Sequence, residues 1–546
     1  MRKRARYVVG SCLVLGLFLA EILFAQEIAA VVFEPPEGII LIWAKRVSLI
    51  MTVVAALLIL ALPEARARAV ALAGALVSLA LAVWMLVQFD VDADGLQFRE
   101  KATWIPALGI DYFVGLDGTN ALVLLLSALL APLVVLASWQ HTDRPRTYFV
   151  LLSLLFTGLF GTFTALNFFH WFLYWELALV PPFFLIKLFG KGEERHSAAL
   201  NFFLFTVLGS VAMLLGFLFL YSNLPADMKT FNFVSPSSEK ISLASLASDP
   251  NRPISDIGGV QIIFFAILAG LWVKVPLAPL HIWQAPAYAA APTPVAMLLT
   301  GVMSKMGVYG FLRLIVPIFP EQLKQHAGTL MVFALVTILW GAFLALRQTD
   351  LKRLLTFSSL NHVAYCVLGV GALGLAADGL KVDAHALAKQ GVILQMFAHG
   401  LAAAGLFYLV GLLEDRTGLR GRDDFGGLSS VTPRFAAVFF ILTFCSLGLP
   451  FMAGFAAEFL IFSGTFAVAP GVTIAATLGL LATAVFLLTM LQRVFTGPVN
   501  EQYKSMPDLT RNEILILTPI IILIFWAGIY PTTWLEFSQK LTHMIP

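Results

Sequence analysis

Residues 260–285 read VQIIFFAILAGLWVKVPLAPLHIWQA, an apolar run with Lys274 near its centre, followed by Pro276, Pro279 and His281. A lysine at mid-bilayer costs about 2.5–3.5 kcal/mol on insertion scales, so it needs a partner or a water-filled cavity. The two prolines cannot donate backbone hydrogen bonds and would break a helix at membrane depth. Such a break is tolerated only where protein or water re-satisfies the freed carbonyls. A charged group at a broken helix near the midplane is how carriers build an ion site. The stretch therefore predicts a broken membrane helix with a proton or cation site at the break.

The composition agrees. Of 546 residues, 59% are hydrophobic and 12% charged, about half the charge of ordinary soluble domains. Mean hydropathy is +0.88. Apolar stretches long enough to cross about 30 Å of hydrocarbon as helices recur along the chain. The alternating strands of an outer-membrane barrel are absent. The fold class expected is an all-α polytopic membrane protein. Cys12, Cys366 and Cys445 are scattered inside apolar runs, with no CxxC and no cysteine–histidine cluster, so neither an iron–sulfur nor a zinc site is expected. No GxGxxG or Walker loop is present either. Any redox cofactor must then sit on another chain, and nothing points to nucleic acid.

The first 25 residues, MRKRARYVVGSCLVLGLFLAEILFA, carry a basic head and an apolar body. They read as a signal peptide with Ala25 near a cleavage point, or as a retained first helix. Further spans fall near 47–64, 67–89, 119–139, 147–165, 168–189, 197–222, 257–283, 293–317, 327–347, 353–376, 388–413, 432–465, 472–493 and 512–530. With the first helix that makes about fifteen. The 432–465 stretch is too long for one straight crossing and reads as a broken span, interrupted at LGLPFMAGF. With a cytoplasmic N-terminus, the inside loops become PEARARA, WQHTDRPR, GKGEERH, RQTDLKR, EDRTGLRGRDD and QRVFTGPVNEQYKSMPDLTR, which are the basic ones. The opposite loops, such as EIAAVVFEPPEG and DVDADG, are mixed or acidic. This agreement favours a retained first helix, an N-terminus inside and a C-terminus outside. Two halves share one device: residues 147–317 hold a Pro-broken span with Lys274, and residues 327–493 a Gly/Pro-broken span with Glu458. Matching interruptions point to inverted repeats with midplane sites. The expected units are N-terminal helices over 1–140, repeats over 141–320 and 321–495, and a C-terminal helix and tail over 496–546.

Ionisable residues inside the spans are few: Glu176, Lys274, His281, Lys305, His362, His399 and Glu458. A free carboxyl titrates near about 4 and a free lysine near about 10, so neither exchanges protons usefully at neutral pH. Removal from water disfavours the charged form of either, and histidines already titrate near neutrality and can link such groups through water. A row of them is what a proton wire needs. One buried Glu–Lys pair could equally be a structural clamp, and a single histidine on an apolar face is more often a bonded core residue. Seven such groups, two of them at helix breaks, favour the carrier. Trp171, Tyr174 and Trp175 around Glu176 read as packing or interface anchors rather than a quinone box. Lys187 and Arg313 lie near span ends, where long cations snorkel. Asp350, Lys352 and Arg353 read as a loop orientation signal with local ion pairs.

At these residues the chain resembles the proton-pumping, antiporter-like subunits of respiratory complex I, closest to bacterial chain M. The matching stretches are WIPALGIDYFVGLDG, WELALVP, LWVKVPLAPLHIW, APTPVAMLLTGVMSKMGVYGFLR, QTDLKRLLTFSSLNHVAY, MFAHGLAAAGLFYL, LGLPFMAGFAAEFLIF and MLQRVFTGP, collinear over residues 104–530. The resemblance implies fourteen core helices in two inverted five-helix repeats, each with a broken helix. It implies that Glu176 is the acid paired with the broken-helix lysine, Lys274, and that Lys305 is the next lysine on a central axis. His362 and His399 would bridge the half-channels, and Glu458 would be the terminal acid. A glutamate at that last position favours chain M over its paralogues and over Mrp-type chains. The same resemblance implies NADH, FMN, iron–sulfur clusters and quinone on partner subunits, with none on this chain. It implies neighbouring membrane-arm subunits, including paralogous antiporter-like chains, in a bacterial inner membrane. The sequence departs from the family at HIWQAPAYAAAPT, residues 281–293, where Pro286, Tyr288 and Ala290 replace an acid, a histidine and an acid. That puts proton uptake through this loop in question.

The leading expectation is a proton-translocating membrane-arm subunit of an NADH:quinone oxidoreductase, driven by redox chemistry elsewhere. The alternatives are a subunit of an Mrp-type cation/proton antiporter, of a membrane-bound hydrogenase or of an inorganic-carbon uptake complex. A non-transporting scaffold is a different class, and would tolerate neutral replacement of all seven groups.

Overall fold

The structure, a computed structural model, describes residues 52–93, 95–235, 241–248, 254–376 and 382–539. The first helix, its signal-peptide alternative, Cys12 and the position of the N-terminus lie outside the described residues. In chain order the apolar helices begin with α1 (Thr52–Ala61) and α2 (Ala67–Val87). A hairpin of β1 (Gln97–Ile105) and β2 (Ile110–Leu116) follows. Next come α3 (Ala121–Ala137), α4 (Pro145–Thr164), α5 (Phe168–Leu177), α6 (Val180–Phe189) and α7 (Arg195–Asn223). The centre of the chain holds α8 (Val260–Lys274), α9 (Gln284–Ala290) and α10 (Thr293–Ile318). The remainder is α11 (Pro320–Arg347), α12 (Leu351–Leu375), α13 (Val382–Thr417), α14 (Pro433–Ser446), α15 (Ala453–Val468), α16 (Pro470–Phe495), α17 (Arg511–Ile529) and α18 (Thr532–Gln539). Among the described residues ten helices are long and apolar enough to span a membrane. The chain is a polytopic α-helical membrane protein.

The chain differs from a soluble protein at its rim, where apolar side chains face outward. Helices α10, α12 and α13 are almost wholly enclosed, whereas α7, α11 and α16 present Leu208, Phe343 and Leu481 outward. That division is what lipid on one side and protein on the other require.

Both predicted breaks are present, and their freed backbone groups can be followed. Helix α8 ends at Lys274 because Pro276 lacks the N–H that would reach back to Trp272. The Trp272 carbonyl instead accepts Leu277 N–H at 3.1 Å. The Val273 carbonyl accepts the Trp283 indole at 3.2 Å, and Ala278 N–H donates to Thr337 Oγ1 at 3.0 Å. Helix α14 ends in a Schellman motif: Gly448 N–H donates to Cys445 O at 3.2 Å and Leu449 N–H to Phe444 O at 3.1 Å. Gly448 has φ +70°, a conformation that costs a residue with a Cβ about 1–2 kcal/mol. A Cβ there would also meet Glu458 Oε2 at 3.0 Å. Gly448→Ala should therefore lower the melting temperature of the assembly and reduce proton-coupled turnover together. A thermal melt and a rate assay on one preparation check this, and turnover unchanged in a folded variant would detach Gly448 from the Glu458 site.

The hairpin was not expected from the sequence. Its strands pair antiparallel with Thr103 opposite Asp111. Asp111 accepts from Asn232 Nδ2 at 2.9 Å, and Asn232 accepts from Asn167 Nδ2 at 2.8 Å, which pins the hairpin to the start of α5.

The reading of Arg313 as a snorkelling cation is corrected. Its guanidinium is 4% exposed and makes a bidentate pair with Asp117, both contacts at 2.7 Å, while its Nε donates to Tyr309 Oη at 2.9 Å. The pair joins the end of the hairpin to α10. At the opposite end of the bundle Asp350, Lys352 and Arg353 do form ion pairs, but Lys352 and Arg353 lie in α12 rather than in a loop and the partners are distant in sequence rather than local. Asp350 caps α12 and pairs with Arg420 at 2.6 Å, and buried Lys352 pairs with Glu414 at 2.7 Å. Lys191, in the loop after α6, pairs with Asp415 at 2.6 Å. Burial opposes its charge, but the Asp415 and Glu414 carboxylates outweigh that and hold its amine above the usual lysine range.

Candidate functional site

Four of the seven singled-out side chains form one buried row. Lys305 is carried by α10 between two π turns, Leu299–Met303 and Phe311–Ile315. A π turn shifts the ladder by one residue and leaves carbonyls free, a device common at functional sites. The Lys305 amine takes up one of them, donating to Thr300 O at 2.6 Å. It also lies 2.8 Å from His399 Nδ1 on α13. At that contact a protonated amine donates to the imidazole, or a protonated ring nitrogen donates to the neutral amine. Either way one proton is shared. The His399 and His362 rings are 5.3 Å apart between centroids. His362 Nδ1 then lies 2.9 Å from Glu458 Oε1 on α15. Lys305 and His362 are 1% and 2% exposed, so the row is cut off from bulk water.

Lys274 and Glu176 stand beside this row without a hydrogen bond to it. Lys274 is the last residue of α8, and its ammonium lies 4.9 Å from the centroid of the Trp175 ring. Among the described residues it makes no ion pair with Glu176, and Lys274 Nζ and Glu176 Oε1 are both without a hydrogen-bond partner. The two groups lie within electrostatic range of each other without direct contact, and the Lys274 ammonium also makes a cation–π contact with Trp175, whose indole donates to Ser210 Oγ at 3.0 Å. The break itself packs against the helix of Lys305: a Cβ on Gly307 would meet Val275 Cγ2 and N. His281 accepts from the Trp340 indole at 3.2 Å on α11 and takes no part in the row.

Two polar residues that the sequence reading passed over belong to the neighbourhood. Gln395 lies one turn before His399 on α13, is 1% exposed, and donates to Glu458 Oε1 at 3.3 Å. Lys389, also on α13 and 6% exposed, lies within electrostatic range of Asp117 and Arg313. Among the described residues no cluster of acids, histidines and cysteines could hold a metal ion.

The sequence model of the NADH:quinone oxidoreductase/Mrp antiporter transmembrane family matches residues 165–484. That segment holds every residue of the row. The chain belongs to this family. It is 33% identical over 480 residues to NADH-quinone oxidoreductase subunit M of Rhodobacter capsulatus, covering 86% of this chain and 88% of that one. It is 32% identical over 477 residues to F(420)H(2) dehydrogenase subunit M of Methanosarcina mazei, covering 85% and 90%. Among solved structures, a chain of respiratory complex I from Thermus thermophilus with bound NADH superposes with a TM-score of 0.78 at 27% identity, covering 93% of this chain and all of that one. The matched segment contains both broken helices together with Lys274, Lys305 and Glu458.

Proposed function

We propose that this chain carries protons across the bacterial inner membrane as a membrane-arm subunit of an NADH:quinone oxidoreductase-type complex. The observation that carries the reading is the buried sequence Lys305–His399–His362–Glu458, with contacts at 2.8 and 2.9 Å at its two ends. A proton on the Lys305 amine passes to His399 Nδ1. The proton then crosses to His362, whose ring centroid is 5.3 Å from that of His399, either directly or through one bridging water, which transfers a proton nearly as well as a direct bond. His362 then protonates Glu458. On the other side, Lys274 holds its charge against Trp175, and a change at Glu176 alters how favourable that charge is. Protonation of Lys274 repels the Lys305 proton toward His399, which gives the row a direction.

The redox work belongs to partner chains: NADH, FMN, iron–sulfur clusters and quinone would all bind elsewhere. Relatives of nearly equal identity are named for NADH and for F(420)H(2), which supports an electron donor chosen by other subunits. The basic loops support an N-terminus in the cytoplasm and a C-terminus outside. Paralogous antiporter-like chains are the expected neighbours, and residues 141–320 and 321–495 the two inverted repeats.

The test is replacement of the first pair. Lys274→Ala and Glu176→Ala should assemble and lower proton pumping and coupled quinone reduction about tenfold, the scale of losing one positioned proton-handling group. Parent-level pumping in both variants would remove the mechanism.

A further inference from the structure

The row depends on where the Lys305 amine sits, and that position is set by a backbone feature. The Leu299–Met303 π turn gives the Thr300 carbonyl to two side chains, Lys305 Nζ at 2.6 Å and Ser304 Oγ at 3.0 Å. The neighbouring carbonyl, Leu299 O, accepts the Ser304 backbone N–H and the Tyr288 hydroxyl, the latter at 2.9 Å. Tyr288 comes from α9, the short helix just past the break at Lys274. Its ring is 1% exposed, and it packs edge-on against Trp283 and against Phe407 of α13, the helix that carries His399. A buried phenol normally finds one partner, and here the partner is the turn on which the Lys305 contact depends. Tyr288 stands in the HIWQAPAYAAAPT stretch, residues 281–293, with no acid in it.

We propose that the Tyr288 hydroxyl is a positioning group for Lys305: by holding Leu299 O it fixes the π turn whose next carbonyl carries the lysine amine, and so keeps that amine against His399 Nδ1. The proposal rests on the reading above in which Lys305 handles the proton. It assigns α9 a role in alignment, linking the break at Lys274 to the row through one hydrogen bond rather than through a carboxylate or imidazole.

The experiment uses the whole complex in sealed native membranes, with Tyr288→Phe, Lys305→Ala and, as a packing control, Phe407→Leu. Proton translocation and the pH profile of quinone reduction are read for each. Tyr288→Phe keeps the ring and removes the hydroxyl. It should lower translocation about two- to tenfold, the net worth of one hydrogen bond, and displace the pH profile. Phe407→Leu should leave the profile where the parent has it. A Tyr288→Phe complex that matches the parent in both readouts, changes no more than Phe407→Leu, or fails to assemble overturns the proposal. Parent-like translocation in Lys305→Ala sinks the proton reading first and the proposal with it, an outcome distinct from failure of Tyr288→Phe alone.

Discussion

Membranes carrying Lys305→Ala should reduce quinone at a tenth of the parent rate or less, about the effect of deleting a positioned acid–base group, with the complex still assembled. The substitution removes both the 2.6 Å contact to Thr300 O and the 2.8 Å contact to His399 Nδ1. Assembly survives because nothing charged is stranded: Thr300 O keeps the Ser304 hydroxyl, and His399 can stay neutral. The rate falls, rather than the coupling alone, because electron transfer in partner chains is held back when the proton cannot leave. Comparing inhibitor-sensitive quinone reduction with the amount of assembled complex checks this. A parent-like rate per assembled complex would show that Lys305 is a core residue.

Asp117→Ala should have the opposite signature, a loss of assembled protein. Arg313 is 4% exposed and spends two guanidinium nitrogens on Asp117 and its Nε on Tyr309. Removing the carboxylate strands a buried cation, which costs about 3–5 kcal/mol. Domains are stable by about 5–15 kcal/mol, so the hairpin and α10 should come apart well below the parent's melting temperature. Asp117→Ala combined with Arg313→Leu, which removes both charges, should recover most of the loss. Steady-state abundance and a thermal melt in detergent measure it. A single variant as stable as the parent would mean that water, and not Asp117, satisfies Arg313.

The residues that disrupt helices were the easiest to read. Pro276 and Pro279 remove donors wherever they stand, and Gly448 allows a left-handed turn, so both breaks follow from local chemistry. The spans follow from length and hydropathy, which act within one segment. What local chemistry could not supply is which side chains meet. Arg313 and Asp117 are 196 residues apart, and nothing near Arg313 in the sequence announces a carboxylate, so its place near a span end suggested snorkelling. Lys274 has the Trp175 ring at 4.9 Å as well as Glu176 within electrostatic range, and a sequence search for charge pairs does not look for an aromatic face. Gln395 was missed because a search for ionisable groups ignores amides, although one turn from His399 is where a second donor to Glu458 fits. The hairpin starts at Gln97, ahead of WIPALGIDYFVGLDG, and its first strand, QFREKATWI, carries charges that hide the alternation, while Gly109, at φ +62°, sits at the turn.

The proton count itself is the measurement that decides. Purified complex in sealed liposomes, parent and Lys305→Ala side by side, gives protons moved per electron pair delivered to quinone. Fewer protons per pair in the variant is the result expected if Lys305, His399, His362 and Glu458 form the path. An equal count at equal turnover would mean that protons cross by some other route.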